Sequence, residues 1–311
     1  MSDQTEPDGR PGESILDLLE RWYHVPAIVA VLAVMLYSRV RAYDNFIVNG
    51  EPYFRGNDAW YHFRETSYLL ENWPSTIPYE VWTGFPYGSH VGHFGTLWDH
   101  ILVVLVVLST PFTPSGEEGI IRAMLVAAPI VGTAVAIPTY FIARRFLDRL
   151  SAVVAVGVLG LIPGTFLSQT MVGFPDHHAG EVFFSSVAIL AFLAAFGVAE
   201  REKPVWELVA DSDWEALKRP AGYAAAAGLA LALYMATWQP GVMMVGFTGI
   251  FLVIKITSDV VNGDSPEPVA FAGAVSMGVA GLLMVVPLDD LSFGVTAYSL
   301  TQVLLPLGTA A

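Results

Sequence analysis

The sequence predicts an all-α polytopic membrane protein of about seven to eight membrane helices with a long first external loop. Two observations predict it. Hydrophobic residues make up 54% of the 311 residues and charged residues only 14%, whereas a soluble domain carries about 25% charged residues. Several apolar runs also approach or exceed the ~18 residues needed to cross a bilayer.

The first 24 residues are polar and read as a short cytoplasmic tail, 1–24, ahead of a transmembrane domain spanning 25–311. The first apolar run begins near Pro26, too late for a simple cleaved signal with a basic leading segment, so it reads as a retained helix. Further membrane helices are expected near 120–143, 150–168, 182–199, 221–238, 241–257 and 269–287, with an eighth starting near Leu291.

The run Ile101–Leu108 is short, with Asp99 and His100 before it and Pro111 after it. Runs of that length are more often interfacial or re-entrant than spanning. Charge agrees. An interfacial segment puts Arg144, Arg145, Arg149, Arg201, Lys203, Lys218 and Arg219 inside, given a cytoplasmic N-terminus, as the positive-inside rule prefers. Arg39 and Arg41, at the outer end of the first helix, count against it. Two external loops follow, 43–119 and 169–181. The linker Val205–Lys218, with Trp206 and Trp214, reads as a cytoplasmic amphipathic helix on the headgroups.

The chain has no cysteine, which excludes disulfides, thiolate zinc sites and a cysteine nucleophile. Its net charge of −14 excludes a basic nucleic-acid footprint, so no nucleic-acid partner is expected. The acidic surplus reads either as a solvated loop surface or as adaptation to high salt.

Both external loops hold acids. Asp58, in Gly56-Asn57-Asp58-Ala59-Trp60-Tyr61-His62-Phe63-Arg64, falls near the outer membrane face. It reads as the N-cap of a short helix or as a ligand. In Phe174-Pro175-Asp176-His177-His178, Asp176 and His178 are two apart. In an extended segment those side chains point the same way, toward one cation. Carboxylates with a single imidazole suit Mn²⁺ or Mg²⁺ better than a soft metal. Capping of the helix expected near Glu181 is the plainer role for Asp176. Both acids fall on one membrane face, in a topology chosen without reference to them, and ionisable groups at a membrane edge tend to mark function.

In order and spacing these segments resemble the archaeal AglB-type oligosaccharyltransferase catalytic subunits. The stretch 56–64 looks like that family's first acidic motif. Ile162-Pro163-Gly164 followed by Asp176-His177-His178 is similar to its second, and Ala236-Thr237-Trp238-Gln239-Pro240-Gly241 to a further Trp-Gly turn. The resemblance covers about Tyr43 to Gly241. It implies a GT-C-type glycosyltransferase transmembrane domain with a juxtamembrane helix in the first loop. The implied activity is transfer of a glycan from a dolichyl phosphate or pyrophosphate to the asparagine of Asn-x-Ser/Thr sequons, at the extracytoplasmic face.

The roles implied by the resemblance are a catalytic and metal-ligating Asp58, and metal ligands in Asp176 and His178. A histidine of the stretch 88–95 would approach the lipid phosphate, with His93 favoured over His90, although both also read as polar loop filler. The family's later catalytic Glu loop and soluble acceptor-reading domain have no counterpart among the 311 residues, so the chain reads as a partial enzyme, inactive alone. Two alternatives stay open: another GT-C enzyme using a polyprenyl-phosphate sugar, and a transporter or structural subunit whose acids only cap helices. Transporters place such groups near the bilayer midplane, and here the helix interiors are nearly charge-free.

Overall fold

The computed structural model describes residues 22–92, 95–203 and 205–311. The expected tail, 1–24, and His93 thus fall largely or wholly outside the described residues. The chain is helical. Among the described residues, five helical stretches are long and apolar enough to cross a membrane: His24–Phe46, Glu117–Ala143, His178–Ala199, Trp214–Thr237 and Gln239–Asn262.

Helix α1 (His24–Val40) runs into a 3₁₀ turn, Tyr43–Phe46. A two-residue ribbon follows, β1 (Ile47–Val48) paired antiparallel with β2 (Glu51–Pro52). Asn49 and Gly50, at φ 54° and 91°, supply the left-handed pair that such a tight turn requires. The first loop then folds helix α2 (Asp58–Asn72), a second ribbon of β3 (Tyr79–Glu80) and β4 (Ser89–His90), and helix α3 (Leu97–Ser109). Helix α3 covers Ile101–Leu108 and, at 13 residues, is one of the shorter apolar helices.

The span Glu117–Ala143 is built from α4 (Glu117–Leu125), α5 (Ala127–Ala134) and α6 (Ala136–Ala143). Helix α7 (Arg149–Leu161) opens on Asp148, whose side chain accepts from the Ser151 amide. It stops seven residues short of the expected 168, because Pro163 and Gly164 interrupt it before a short helix, α8 (Thr165–Gln169). Helix α9 (His178–Ala199) starts at His178, three residues before the expected Glu181. The second loop is correspondingly shorter.

The linker 205–218 is not one amphipathic helix. Helix α10 (Val205–Ala210) ends ahead of Ser212, at φ 55°. Asp213 then caps α11 (Trp214–Thr237) by accepting from the Ala216 amide. Trp206 and Trp214 are both exposed. Helices α12 (Met243–Asn262) and α13 (Glu267–Leu283) follow. The last helix, α14 (Leu300–Ala310), begins nine residues later than expected. Asp290 binds Ser292 and Ser299 caps Leu300 onward, so 291–299 is a turn region rather than a helix start.

Three buried clusters hold the helices together. One joins α9, α11 and α13 through Phe192, Ala195, Ala227, Leu231 and Met277. Small residues let those backbones approach: a Cβ at Gly228 would run into the Ser276 carbonyl, and Ser276 Oγ donates across helices to Ala224 O at 2.9 Å. A second cluster packs α2 and α3 on α4 and α5 through Trp98, Leu102, Met124 and Leu125. A third joins α1, α6 and α7 through Met35, Tyr140 and Val156. Phe247, Val253, Ile254 and Val261 of α12 remain more than 60% exposed, as a face meant for lipid would be.

Candidate metal centre

Five segments meet at the site: the start of α2, the turn between β3 and β4, the start of α3, the second loop and the turn after α11. Asp58 is the first residue of α2, its carboxylate is exposed, and Asn57 is the cap position. The capping reading of Asp58 therefore fails. Asp58 lines a cavity of about 230 Å³ with Tyr61, His62, Thr83, Thr96, His177, Thr237, Trp238 and Gln239.

Asp176 is fully buried and directly precedes His177, which lines the same cavity. Its Oδ1 accepts from the His177 amide at 2.6 Å and lies 2.7 Å from His177 Nδ1 and 3.4 Å from His62 Nε2. Its Oδ2 has no hydrogen-bond partner although it is buried, and His178 Nε2 stands 3.6 Å away. Burial works to raise the Asp176 carboxyl, but the bonds from His177 and His62 outweigh it and hold the pKa below the ordinary carboxylate range.

His178 lies in the first turn of α9 and not in an extended segment, so alternation is not what aims it. The helix start does the same work. His178 Nδ1 is 3.1 Å from Glu181 Oε2, one turn on, and this leaves Nε2 facing Asp176. Asp58 lies within electrostatic reach of His178. The three acids and imidazoles singled out in the sequence thus converge on one region. His90 instead pairs with Asp289 at 3.3 Å.

Sequence reasoning missed His62 and Asp99. His62 is almost fully buried, with Nδ1 2.6 Å from Asp99 Oδ1. Burial works against its charged form, but Asp99 and Asp176 together outweigh it and hold the pKa up at about 10. One signal was available: His62 is four residues after Asp58, on the same helix face. Asp99 carried none, standing 37 residues from its partner.

Two overlapping donor sets, neither of which includes Asp58, could hold a metal ion. A buried carboxylate oxygen without a partner is open to an ion or a water; Glu65 Oε1, Asp259 Oδ2 and Glu267 Oε2 share that state, and Asp176 Oδ2 differs from them in having an imidazole nitrogen 3.6 Å away. His62, Asp176 and His177 can present ligand atoms within 4.8 Å of one another, as can His177, His178 and Glu181.

A helical membrane protein with a carboxylate–imidazole centre beside its first loop is the class that fold and site define. Within that class, the chain belongs to the oligosaccharyl transferase STT3 N-terminal family, which matches residues 26–301. It is 46% identical over 297 residues to the dolichyl-monophosphooligosaccharide–protein glycotransferase AglB of Haloferax volcanii, covering 96% of this chain and 28% of that relative. The chain thus spans less than a third of that relative's length. Solved structures of the Archaeoglobus fulgidus oligosaccharyltransferase share the fold. Its complex with an inhibitory peptide and a dolichol-phosphate aligns at TM-score 0.80 and 23% identity, over 94% of this chain and 32% of that one. Its complex with Zn and sulfate aligns at TM-score 0.76 and 24% identity, over 91% and 34%.

Proposed function

We propose that this chain carries the cation and lipid-carrier part of an oligosaccharyltransferase catalytic subunit. The reaction is transfer of a glycan from a dolichyl phosphate or pyrophosphate to the asparagine of an Asn-x-Ser/Thr sequon. The observation that carries this reading is the buried Asp176 Oδ2, without a hydrogen-bond partner and 3.6 Å from His178 Nε2, beside the His62 and His177 that line a cavity with Asp58. The Haloferax relative, named a dolichyl-monophosphooligosaccharide–protein glycotransferase, supports it.

Asp176 and His178 hold the cation, with Asp58 as the third ligand. Oxygen-rich donors with one imidazole suit Mn²⁺ or Mg²⁺. When bound, such a cation supplies Lewis-acid stabilisation of the departing phosphate. Asp58, exposed in the cavity, has the freedom to accept from the acceptor amide and orient it as well. Thr83, Thr96 and Gln239 line the same space with polar groups for a sugar or phosphate. His93 is the residue assigned to approach the lipid phosphate.

The fold is of GT-C type, with seven to eight membrane helices once α7, α13 and α14 are counted with the five long ones. Residues 25–311 form its transmembrane domain. The N-terminus is cytoplasmic, and the loops 43–119 and 169–181 are extracytoplasmic, which puts the centre on the outer face.

Mn²⁺ titration of the detergent-purified chain, followed by electron paramagnetic resonance, tests this. Asp58→Ala, Asp176→Ala and His178→Ala should each weaken binding about tenfold or more, the scale of a lost contact at a metal site. Wild-type affinity in all three would refute the centre.

A further inference from the structure

A carboxylate has two equivalent oxygens on a torsion with broad, roughly two-fold preferences, so a ligand carboxylate needs something to fix its rotation. At Asp176 the two oxygens are unequal. Oδ1 is engaged by His177 and His62, while Oδ2 is left bare. His62 is itself held from behind: its Nδ1 meets Asp99 Oδ1 at 2.6 Å. Asp99 is fully buried, and its Oδ2 accepts from Thr96 Oγ1 at 2.5 Å and from the Thr96 amide at 3.3 Å. That Thr96–Asp99 exchange is the capping box of α3, so the far end of the chain of contacts is anchored in a helix start. Thr96, Asp99, His62 and Asp176 therefore form one line across three elements that no local sequence pattern connects.

We infer that Asp99 and His62 are positioning residues: together they hold Asp176 by Oδ1 so that Oδ2 is presented to the cation, and neither touches the cation itself. This rests on the reading of Asp176 as a ligand. Partners one shell out from a metal ligand typically change affinity 10- to 100-fold when removed. A merely structural role, joining α2 to α3, would need only the Nδ1–Asp99 contact. The two contacts are separable, because an asparagine amide reaches about as far as Nδ1 and a glutamine amide about as far as Nε2.

The experiment compares Mn²⁺ affinity in wild type, Asp176→Ala, His62→Asn and His62→Gln, with the melting temperature of each cation-free protein measured alongside. The expected result is a tenfold or greater loss in His62→Asn at near wild-type melting temperature, and a smaller loss in His62→Gln, which keeps the contact to Asp176 and gives up the anchor on Asp99. Pulsed resonance should show the same number of nitrogen couplings to Mn²⁺ in wild type and His62→Gln. Disappearance of a coupling would make His62 a ligand and overturn the inference. Equal affinity in all the His62 variants would also overturn it. So would losses in both His62 variants that track melting temperature alone. If Asp176→Ala loses binding while His62→Asn keeps it, the positioning pair fails and the metal centre survives. If Asp176→Ala binds as wild type, the ligand reading fails and this inference fails with it.

Discussion

Trp98 Nε1 donates to the Pro175 carbonyl across 3.1 Å, and the two residues are the immediate chain neighbours of Asp99 and Asp176. One buried indole thus pins the start of α3 to the second loop at the point where the carboxylates must be aligned. Gly180 lets it sit there, since a Cβ at that position would come within 2.9 Å of both the Trp98 ring and Thr237.

Trp98→Phe keeps the ring but leaves the carbonyl unpaired. It should cost about 1–3 kcal/mol, the range for a buried polar group left without its partner. Gly180→Ala should cost a similar amount, about 1–3 kcal/mol, by overpacking. Both variants should also weaken Mn²⁺ binding, because they move the second loop relative to α3. Thermal melts and titrations on the same preparations check both effects. Lost stability with unchanged Mn²⁺ affinity would separate the tryptophan from the centre.

Cation addition should itself stabilise the fold. A ligand that binds only the native state at 100 times its dissociation constant contributes about 2.7 kcal/mol. Mn²⁺ should therefore raise the wild-type melting temperature, chelation should reverse the rise, and Asp176→Ala should show neither. A rise of equal size in Asp176→Ala would locate the binding elsewhere.

Glu65 and Glu80 answer pH with opposite signs. Glu80 is buried, which pushes its carboxyl up, but bonds from Arg64 at 2.8 and 3.0 Å and from Thr83 outweigh that and hold the pKa down at about 2. Its folded value lies below its ordinary 4.5, so its contribution is complete above that value and is lost as pH falls toward 2. Glu65 is pushed up to about 8, first by burial and then by Asp99. Its folded value lies above the ordinary one, so the unfolded state gives up the proton first and stability declines as pH rises from 4.5 to 8. Glu65→Gln should therefore stabilise the protein at pH 8 by about 1–3 kcal/mol, the desolvation scale of a buried polar group, and leave it unchanged near pH 4. Glu80→Gln should destabilise it at pH 7 and converge with wild type toward pH 2. Melting curves across that range give both signs, and a parallel response of the two variants would contradict the assignment.

Hydropathy made the long spans legible, because in a bilayer length and composition are close to sufficient conditions. The helix ends were less so. Pro163 and Gly164 cut α7 short, and Asp290, Ser292 and Ser299 delayed α14, through local hydrogen bonds that a hydropathy window averages away. Asp58, Asp176 and His178 were legible as candidate chemistry in two separate loops. The geometry that makes Asp176 special was not. His62 and Asp99 meet only because α3 folds back onto α2, a tertiary event without any periodic trace.

Arg39 shows how tertiary structure alters a topological argument. Counted by charge it opposes a cytoplasmic N-terminus, yet it is fully buried at the end of α1. Its Nε donates to Thr170 Oγ1 at 2.9 Å, and Nη1 donates to the carbonyls of Met35 and Gly160 at 3.2 and 3.3 Å. The guanidinium also stands 5.3 Å from the centre of the Phe166 ring. Such a residue is a clamp between α1, α7 and α8, and its charge is not offered to the membrane surface. Arg39→Lys, which keeps the charge and loses the planar fork, should destabilise the protein by about 1–3 kcal/mol. On the proposed topology Arg39→Leu should leave the orientation unchanged, because the seven basic residues between Arg144 and Arg219 outweigh a single one. The absence of native cysteine makes the test clean: single cysteines at Glu117 and Lys203, probed with a membrane-impermeant maleimide in intact cells. Labelling at Glu117 alone, with either residue at 39, is the expected pattern. A switch of labelling to Lys203 in Arg39→Leu would mean that Arg39 helps to set the topology after all.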